Sequence, residues 1–119
     1  MTPAEKIKRI EKALRRAQST HTWEDVRESI VKGESRIFDN DHGCWITEIR
    51  DTPQKRWLNV WIVAGELPHV MGIQEEVERY ALTSNCAFLG AVVRPGWKNV
   101  YPKYGWKLSG HAIVKEVQP

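Results

Sequence analysis

The sequence predicts a single α/β domain in which a β-sheet is flanked by helices. Three observations support this fold class. The chain has 119 residues, enough for one core. The spacing of apolar residues changes from helical to alternating after Gly33, and a further helical segment then separates strand-like segments. With 41% hydrophobic and 28% charged residues and no repeat or linker, we expect one folded domain over residues 1–119.

The first predicted helix begins at the N-terminus and extends to about Gln18. Thr2 and Glu5 have the spacing of a capping box, and Pro3 occupies the first helical position, where its missing N–H costs nothing. The residues that recur at helical spacing are Ile7, Ile10, Leu14 and Ala17.

A second, shorter helix is predicted between Thr22 and Gly33. Thr22 and Asp25 repeat the capping spacing, and Gly33 supplies the left-handed residue that often ends a helix. The inner face of this helix is expected to consist of Trp23, Val26 and Ile30.

Three strands are predicted next, over residues 35–39, 44–50 and 56–63. The tetrad Asn-Asp-His-Gly at 40–43 suits a hairpin turn between the first two, and residues 51–54 form a second turn. The third strand is apolar on both faces, which is typical of a central strand covered on both sides. One face is expected to carry Trp57, Trp61 and Val63, and the other Leu58, Val60 and Ile62.

The remaining elements are a third helix, two strands and a short helical turn. The helix is predicted over residues 73–84, with Gln74, Glu75, Glu78 and Arg79 outward and Ile73, Val77, Tyr80 and Ala81 inward. Residues 86–93 form an apolar strand that Pro95-Gly96 ends, and residues 106–117 form the last strand. The predicted order is α-α-β-β-β-α-β-(short α)-β.

The segment Val-Tyr-Pro-Lys-Tyr-Gly-Trp at 100–106, together with this element order, resembles the GNAT superfamily of N-acyltransferases. In the family, an aromatic-Tyr-x-x-x-Gly-aromatic motif precedes the end of the chain. The Arg-Pro-Gly-Trp motif at 94–97 also resembles small phage-encoded proteins of this shape. The resemblance implies a mixed, mostly antiparallel sheet flanked by helices.

An acetyltransferase of this superfamily binds the diphosphate of acetyl-CoA in a glycine-rich loop after the central strand. Backbone N–H groups and a helix N-terminus supply the donors. In this chain the corresponding segment, residues 63–72, has Glu66 as its one charged residue and Pro68, which lacks an N–H. Glu75 and Glu76 add negative charge, so the segment is expected to hold a diphosphate poorly. A rebuilt cofactor site would involve Gly65, Gly72 and Ile73.

The resemblance also implies acid–base chemistry, in which one group protonates the departing thiolate and another deprotonates the amine. Tyr101 occupies the position of the family's acid, and Glu48 or Glu66 are candidates for the base. The alternatives are structural: Tyr101 is an amphipathic residue at the rim of the core, Glu48 a solvent-facing strand residue and Glu66 a loop charge.

Other candidate sites receive structural interpretations. The sequence starting at Asp39 resembles a calcium-binding loop, but Arg50 stands where the bidentate glutamate is required. The four histidines share no metal-binding spacing, so no metal site is predicted. Cys44 and Cys86 lie in apolar runs and are interpreted as reduced, buried residues of a cytoplasmic protein.

The net charge of +3 comes with a concentration of basic residues in the first helix. They lie off its apolar face and are interpreted either as a solvated surface or as a contact for an acidic partner or nucleic acid. Sequence-specific nucleic-acid binding is not predicted, because no such motif is present. The N-terminus lacks a secretory h-region, and no apolar run approaches the roughly 20 residues of a membrane span. The candidate partner-binding residues are Lys8, Lys12, Arg15, Arg16, Trp97 and Tyr104.

Two functional hypotheses of different classes follow. The favoured one is a non-catalytic structural or interaction module with no cofactor, resembling small phage proteins. It would assemble with other protein subunits in the head–tail region of a virion after expression in the host cytoplasm. The six tryptophans and the acidic segment after the central strand motivate it. The alternative is an acetyl-CoA-dependent N-acetyltransferase with a divergent cofactor loop.

Overall fold

The computed structural model describes residues 1–93, 95–109 and 112–119, in which one six-stranded sheet is covered by helices on both faces. The helices are α1 (Pro3–Arg16), α2 (Trp23–Val31) and α3 (Gln74–Thr83). The strands are β1 (Arg36–Asn40), β2 (Gly43–Asp51), β3 (Arg56–Gly65), β4 (Phe88–Ala91), β5 (Lys107–Ser109) and β6 (Ala112–Glu116).

The strand order is β1-β2-β3-β4-β6-β5, and β3 and β4 are the parallel pair among antiparallel neighbours in the part of the chain described. The predicted mixed, mostly antiparallel sheet flanked by helices is therefore confirmed. The Arg94 of the Arg-Pro-Gly-Trp motif and His111 lie outside the described residues.

The two N-terminal helices begin at the predicted caps. The Thr2 hydroxyl accepts the Glu5 N–H at 3.2 Å, and Thr22 and Asp25 form a reciprocal capping box. Helix α1 ends at Arg16, two residues before the predicted end, because Gln18 has a φ of 67° that a right-handed helix excludes.

The turn between β1 and β2 is tight and packs against the end of β3. Asn40 pairs with Gly43 across two turn residues, as the sequence predicts. A Cβ on Gly43 would lie 2.1 Å from the Ala64 carbonyl oxygen, and one on Gly65 would lie 2.2 Å from the His42 carbonyl oxygen. Glycine at both positions therefore allows the two backbones to touch.

Strand β3 is central, as predicted, but its faces are not those of a regular strand. Ile46 pairs with Ile62 and Thr47 with Val60, so Trp61 is an extra residue in a β-bulge. The bulge reverses the alternation: Leu58 and Val60 join the core beneath α3, whereas Ile62 joins the core beneath α1 and α2. The prediction that Trp61 and Val63 share one face, and Val60 and Ile62 the other, was wrong for this reason.

Each face of the sheet carries its own apolar core. The core on the α1–α2 side is closed by Ile10 and Leu14 of α1 and Val26 of α2, all nearly inaccessible to solvent. The core on the α3 side is larger and includes Trp45, whose indole N–H donates to the Val70 carbonyl at 2.9 Å. The large tryptophan side chain is thus buried with its indole N–H hydrogen-bonded, as expected for this residue type.

The C-terminal half differs from the prediction in two places. Of the apolar run 86–93, only Phe88–Ala91 is paired as a strand, because the chain leaves the sheet after Ala91. The segment 106–117 is not one strand but the hairpin of β5 and β6, in which Ser109 pairs with Ala112. Two short strands of this kind carry too little periodicity to be separated by alternation alone.

Both cysteines are free and buried, as expected. Cys44 lies in the α1–α2 core, where burial raises the pKa of its thiol to about 11. Burial also raises the pKa of the Cys86 thiol, which lies in the α3 core. Neither thiol therefore has the thiolate character of a nucleophile. Among the described residues, no helix is long and apolar enough to cross a lipid bilayer.

Candidate functional site

The parallel strands β3 and β4 pair over only two positions and then separate. Leu58 pairs with Leu89 and Asn59 with Gly90, whereas no described residue pairs with Val60–Gly65 on that side. The space between the separating strands is a cleft of about 460 Å³. Its walls include Trp61 and Val63 of β3, Val92 and Val93 after β4, and Trp97, Tyr101 and Trp106. These walls are therefore apolar and aromatic, and one of them is a strand edge that no described residue pairs.

The bulge at Trp61 lies just beyond the point where the strands part. Asn59 is the last β3 residue paired with β4, and Trp61 is the residue without a partner in β2. The Trp61 ring contacts the His21 ring edge-on, with centroids 4.9 Å apart, and so is held from the α1–α2 side. β-bulges re-aim backbone and side chains in this way next to ligand sites in many folds.

The opposite wall is built by the Tyr-Pro-Lys-Tyr-Gly-Trp motif. Residues Tyr101–Tyr104 form a 3₁₀ turn that ends at Gly105, whose φ is 86°. The buried indole of Trp106 then donates to the Gln74 side-chain oxygen at 2.8 Å, and the Gln74 amide donates to the Tyr104 carbonyl at 2.8 Å. The prediction that Gln74 faces outward was wrong: this residue is 7% exposed because it fixes the motif to α3.

Tyr101 is the one predicted catalytic residue that lines the cleft. Its side chain is half-buried and is the only hydroxyl group among the described residues of the lining. Glu48 does not line the cleft; its carboxylate accepts hydrogen bonds from Arg50 at 3.0 Å and Asn59 at 3.1 Å. Glu66 also lies outside the lining, 3.6 Å from the His42 ring nitrogen. The structure thus brings the acid candidate to the cleft without either base candidate.

In the segment between β3 and α3, backbone N–H groups donate hydrogen bonds to carbonyl groups of the same segment. A 3₁₀ helix, His69–Ile73, leads directly into α3, and the N–H groups of Val70 and Met71 donate to preceding carbonyls at 2.8 and 2.9 Å. The first turn of α3 carries Glu75 and Glu76, both exposed. These two amide donors are therefore already bonded and the nearby side-chain charge is negative, which disfavours a diphosphate here.

The three positions suggested for a rebuilt cofactor site differ in their relation to the cleft. Gly65 lines the cleft at the end of β3. Gly72 is exposed and Ile73 is buried in the α3 core, and neither belongs to the lining. Gly65 is therefore the one of the three positions that borders the cleft.

One face of α1 forms the charged border of the cleft. Arg9, Lys12 and Arg16 contribute to its lining, all three are exposed, and none forms an ion pair with a described carboxylate. We call these three residues the cationic face. Arg9 is absent from the sequence prediction, although its spacing of seven from Arg16 places both on one side of a helix.

The other predicted partner-binding residues are distributed over the surface. Trp97 lines the cleft, as do Lys12 and Arg16 of the cationic face. Lys8, Arg15 and Tyr104 do not line the cleft; the first two are exposed and Tyr104 is half-buried against the α3 core.

A second polar cluster lies at the β1–β2 turn. The rings of His42 and His69 are 4.7 Å apart and inclined by 31°, and Glu66 approaches His42. Within the described ranges, no group of three or more histidine, cysteine or acidic side chains has an arrangement that could hold a metal ion. The cluster therefore acts as a surface contact between the turn and the segment after β3.

The chain matches no protein-family model and no curated protein sequence. Its structure is similar to a chain of the NatC complex solved with a Gag peptide and CoA, at 12% identity and a TM-score of 0.67, covering 96% of this chain and 92% of that one. It is similar to FeeM, an N-acyl amino acid synthase from uncultured soil microbes, at 16% identity and a TM-score of 0.65, covering 98% and 87%.

A third similar structure is that of Tetrahymena GCN5, with 10% identity, a TM-score of 0.63 and coverage of 98% of this chain and 89% of that one. Identities this low carry the fold and nothing finer. The separating parallel strands, the flanking helices and these likenesses together show that the chain has the fold of the GNAT acyltransferases.

Proposed function

We propose that this chain is an acyltransferase whose acyl donor enters the cleft between β3 and β4. The observation that carries the proposal is the cleft itself: an open apolar space of about 460 Å³ between parallel strands that separate after two pairs. Structurally similar proteins include an N-acyl amino acid synthase and a complex solved with CoA. These likenesses support an acyl-transfer function over a purely structural one.

The cleft suits the extended arm of an acyl thioester. Its apolar and aromatic walls would desolvate an acyl group, and the unpaired edge of β3 over Val60–Gly65 offers N–H and C=O groups to amides along an extended ligand. A bound thioester would supply an activated acyl group and a sulfur leaving group. Tyr101 is the chain's own contribution to the chemistry, since its hydroxyl can donate a proton to that sulfur.

The proton of an acceptor amine has no assigned destination in the cleft. Glu48 is held by Arg50 and Asn59, and Glu66 lies by His42. The proposal therefore needs no carboxylate base: the acceptor enters as the neutral amine and attacks the thioester carbonyl, and the C–S bond breaks as Tyr101 gives its proton to the sulfur. The new amide nitrogen loses its surplus proton to water, and Tyr101 regains a proton from water. Replacing Glu48 or Glu66 with glutamine is expected to leave turnover unchanged.

A second candidate function is the non-catalytic interaction module, supported by a different observation. In the segment between β3 and α3, the N–H groups of Val70 and Met71 are already bonded, and Glu75 and Glu76 add negative charge, so the segment suits a diphosphate poorly. In addition, Val92 is 84% exposed and Leu67 43% exposed beside the cleft, which suits a protein contact. Under this proposal the chain would pack against other subunits, as in the head–tail region of a phage virion, and would bind no acetyl-CoA.

Thermal-shift titration separates the two candidates. A donor that binds only the folded protein must raise its melting temperature, and one hundred times its Kd would stabilise the fold by about 2.7 kcal/mol. Acetyl-CoA and a long-chain acyl-CoA are the ligands to titrate. A saturable shift supports the acyltransferase, and its absence for both donors at millimolar concentration would reject it in favour of the interaction module.

A pair of tyrosine variants tests the assigned acid. Tyr101→Phe is expected to lower kcat by about tenfold to a hundredfold or more while leaving donor affinity unchanged. Tyr104→Phe is the matched control, because Tyr104 belongs to the same turn but does not line the cleft. Equal loss of turnover in both variants would show that Tyr101 acts through the structure of the turn and not as an acid.

A further inference from the structure

Charge is distributed unevenly around the cleft. On the α1 side, the cationic face places Arg9, Lys12 and Arg16 along its border, and the described residues of the lining include no acidic side chain. On the α3 side, Glu75 and Glu76 are exposed in the first turn of the helix. An anionic ligand in the cleft is therefore attracted to its α1 border, whereas the first turn of α3, which does not line the cleft, carries only negative charge.

The orientation of α1 leaves the three side chains of the cationic face exposed, where they can contact a ligand. Ile10 and Leu14 are buried against the sheet, so the side of the helix that they occupy is fixed. Arg9, Lys12 and Arg16 follow the spacing i, i+3, i+7, which aligns them in one stripe about 10 Å long. By contrast, Lys6 on the same helix is neutralised by Asp39 at 2.9 Å. The cations of the stripe have no such described partner.

We infer that the cationic face is the phosphate-binding site for the acyl donor, in place of the loop amides before α3. This inference rests on the proposed acyltransferase function and specifies its donor as a thioester that carries phosphate groups, such as acyl-CoA. A stripe about 10 Å long, with guanidinium groups at both ends, suits a ligand with more than one phosphate group. The apolar cleft beside it receives the uncharged arm and the acyl group.

The test compares two variants of equal charge. R9Q/K12Q/R16Q removes the cationic face, whereas K8Q/R15Q/R27Q removes three exposed cations that do not line the cleft. Calorimetric titration with acetyl-CoA measures affinity, and S-acetyl-pantetheine, which has no phosphate, is the second ligand. Melting temperatures of both variants check that they fold, which is expected because glutamine is a good helix former.

The expected result is a Kd for acetyl-CoA about tenfold higher in R9Q/K12Q/R16Q, since each exposed charge pair contributes roughly a factor of two to three. The control should stay within about twofold of the parent protein, and S-acetyl-pantetheine should bind all three proteins equally. The affinity of the parent protein for acetyl-CoA should also fall more steeply with added salt than that of R9Q/K12Q/R16Q.

The failure of this inference is distinguishable from the failure of the proposed function. If the parent protein binds acetyl-CoA and R9Q/K12Q/R16Q binds it equally well, the phosphates lie elsewhere and the acyltransferase proposal stands. Equal weakening in the control would assign the effect to net charge and overturn the site. If the parent protein binds neither acetyl-CoA nor S-acetyl-pantetheine, both the function and the site are rejected.

Discussion

Replacement of Gln74 by leucine should destabilise the fold and disorder one wall of the cleft. The Gln74 side chain accepts the Trp106 indole N–H at 2.8 Å and donates to the Tyr104 carbonyl at 2.8 Å and to Glu78 at 3.2 Å. Leucine is similar in size but offers no hydrogen bond. Trp106 is 5% exposed, so its N–H would be left buried without a partner.

The expected loss in the free energy of unfolding follows from these contacts. A buried unsatisfied donor costs about 1–3 kcal/mol, and loss of the bond to the partly buried Tyr104 adds about 1 kcal/mol. The bond to the half-exposed Glu78 adds little. We expect Gln74→Leu to lower the free energy of unfolding by about 2–4 kcal/mol, measured by urea denaturation. The affinity of the protein for the acyl donor should fall as well, because the same hydrogen bonds hold the segment that carries Tyr101.

A double-mutant cycle isolates the hydrogen bond from the loss of packing. Trp106→Phe removes the indole N–H, and the double variant with Gln74→Leu should be more stable than the sum of the single effects by about 1–2 kcal/mol. Gln54→Leu, in the exposed turn before β3, is the control and should change stability by less than about 0.5 kcal/mol. If Gln74→Leu were as stable as this control, the assignment of Gln74 as the link between α3 and the closing motif would be wrong.

Three further predictions concern stability, each measured by chemical denaturation. Gly65→Ala places a methyl group 2.2 Å from the His42 carbonyl oxygen and should cost more than about 2 kcal/mol, whereas Gly33→Ala meets no atom within 4 Å and should cost about 1 kcal/mol for its φ of 79° alone. Thr22→Ala removes the cap of α2 and should cost about 1 kcal/mol, and an unchanged midpoint would contradict the capping box. Because the folded pKa of Cys44 is about 11 against an ordinary value of 9.0, the unfolded chain loses this proton first. Stability should therefore fall between about pH 9 and 11 by up to roughly 2–3 kcal/mol, and a Cys44→Ala variant with the same slope would refute that origin.

The elements that sequence predicts best are those with local signals. The caps at Thr2 and Thr22, the left-handed Gly33 and the hairpin turn after Asn40 depend on neighbouring residues, and the structure contains all four. The likeness in element order to the acyltransferases is confirmed as a likeness of fold. Local signals and the closing motif at 100–106 therefore were enough to predict the architecture.

The features that sequence did not predict depend on long-range contacts. The bulge at Trp61 is visible only once β3 is paired with β2, and it reverses the face of each residue that follows. Gln74 was placed outward because it is polar, yet Trp106, thirty-two residues later, gives it a buried partner. Arg9 was overlooked because a stripe of cations on a helix has meaning only when the cleft beside it is known.

The contact between β3 and β4 joins the two halves of the sheet through few backbone pairs. Between the halves β1-β2-β3 and β4-β6-β5, the described backbone contacts are the pairs Leu58–Leu89 and Asn59–Gly90 and the hydrogen bond from the Ala87 N–H to the Arg56 carbonyl at 2.8 Å; we call this contact the junction. Trp57 lies over this junction, stacked on Phe88 with ring centroids 5.5 Å apart, and adds a side-chain contact across it. A ligand bound between the two halves of the sheet would contact both of them and so restrict changes in the angle between them. Amide protons at the junction should therefore exchange more slowly with solvent when the ligand is bound.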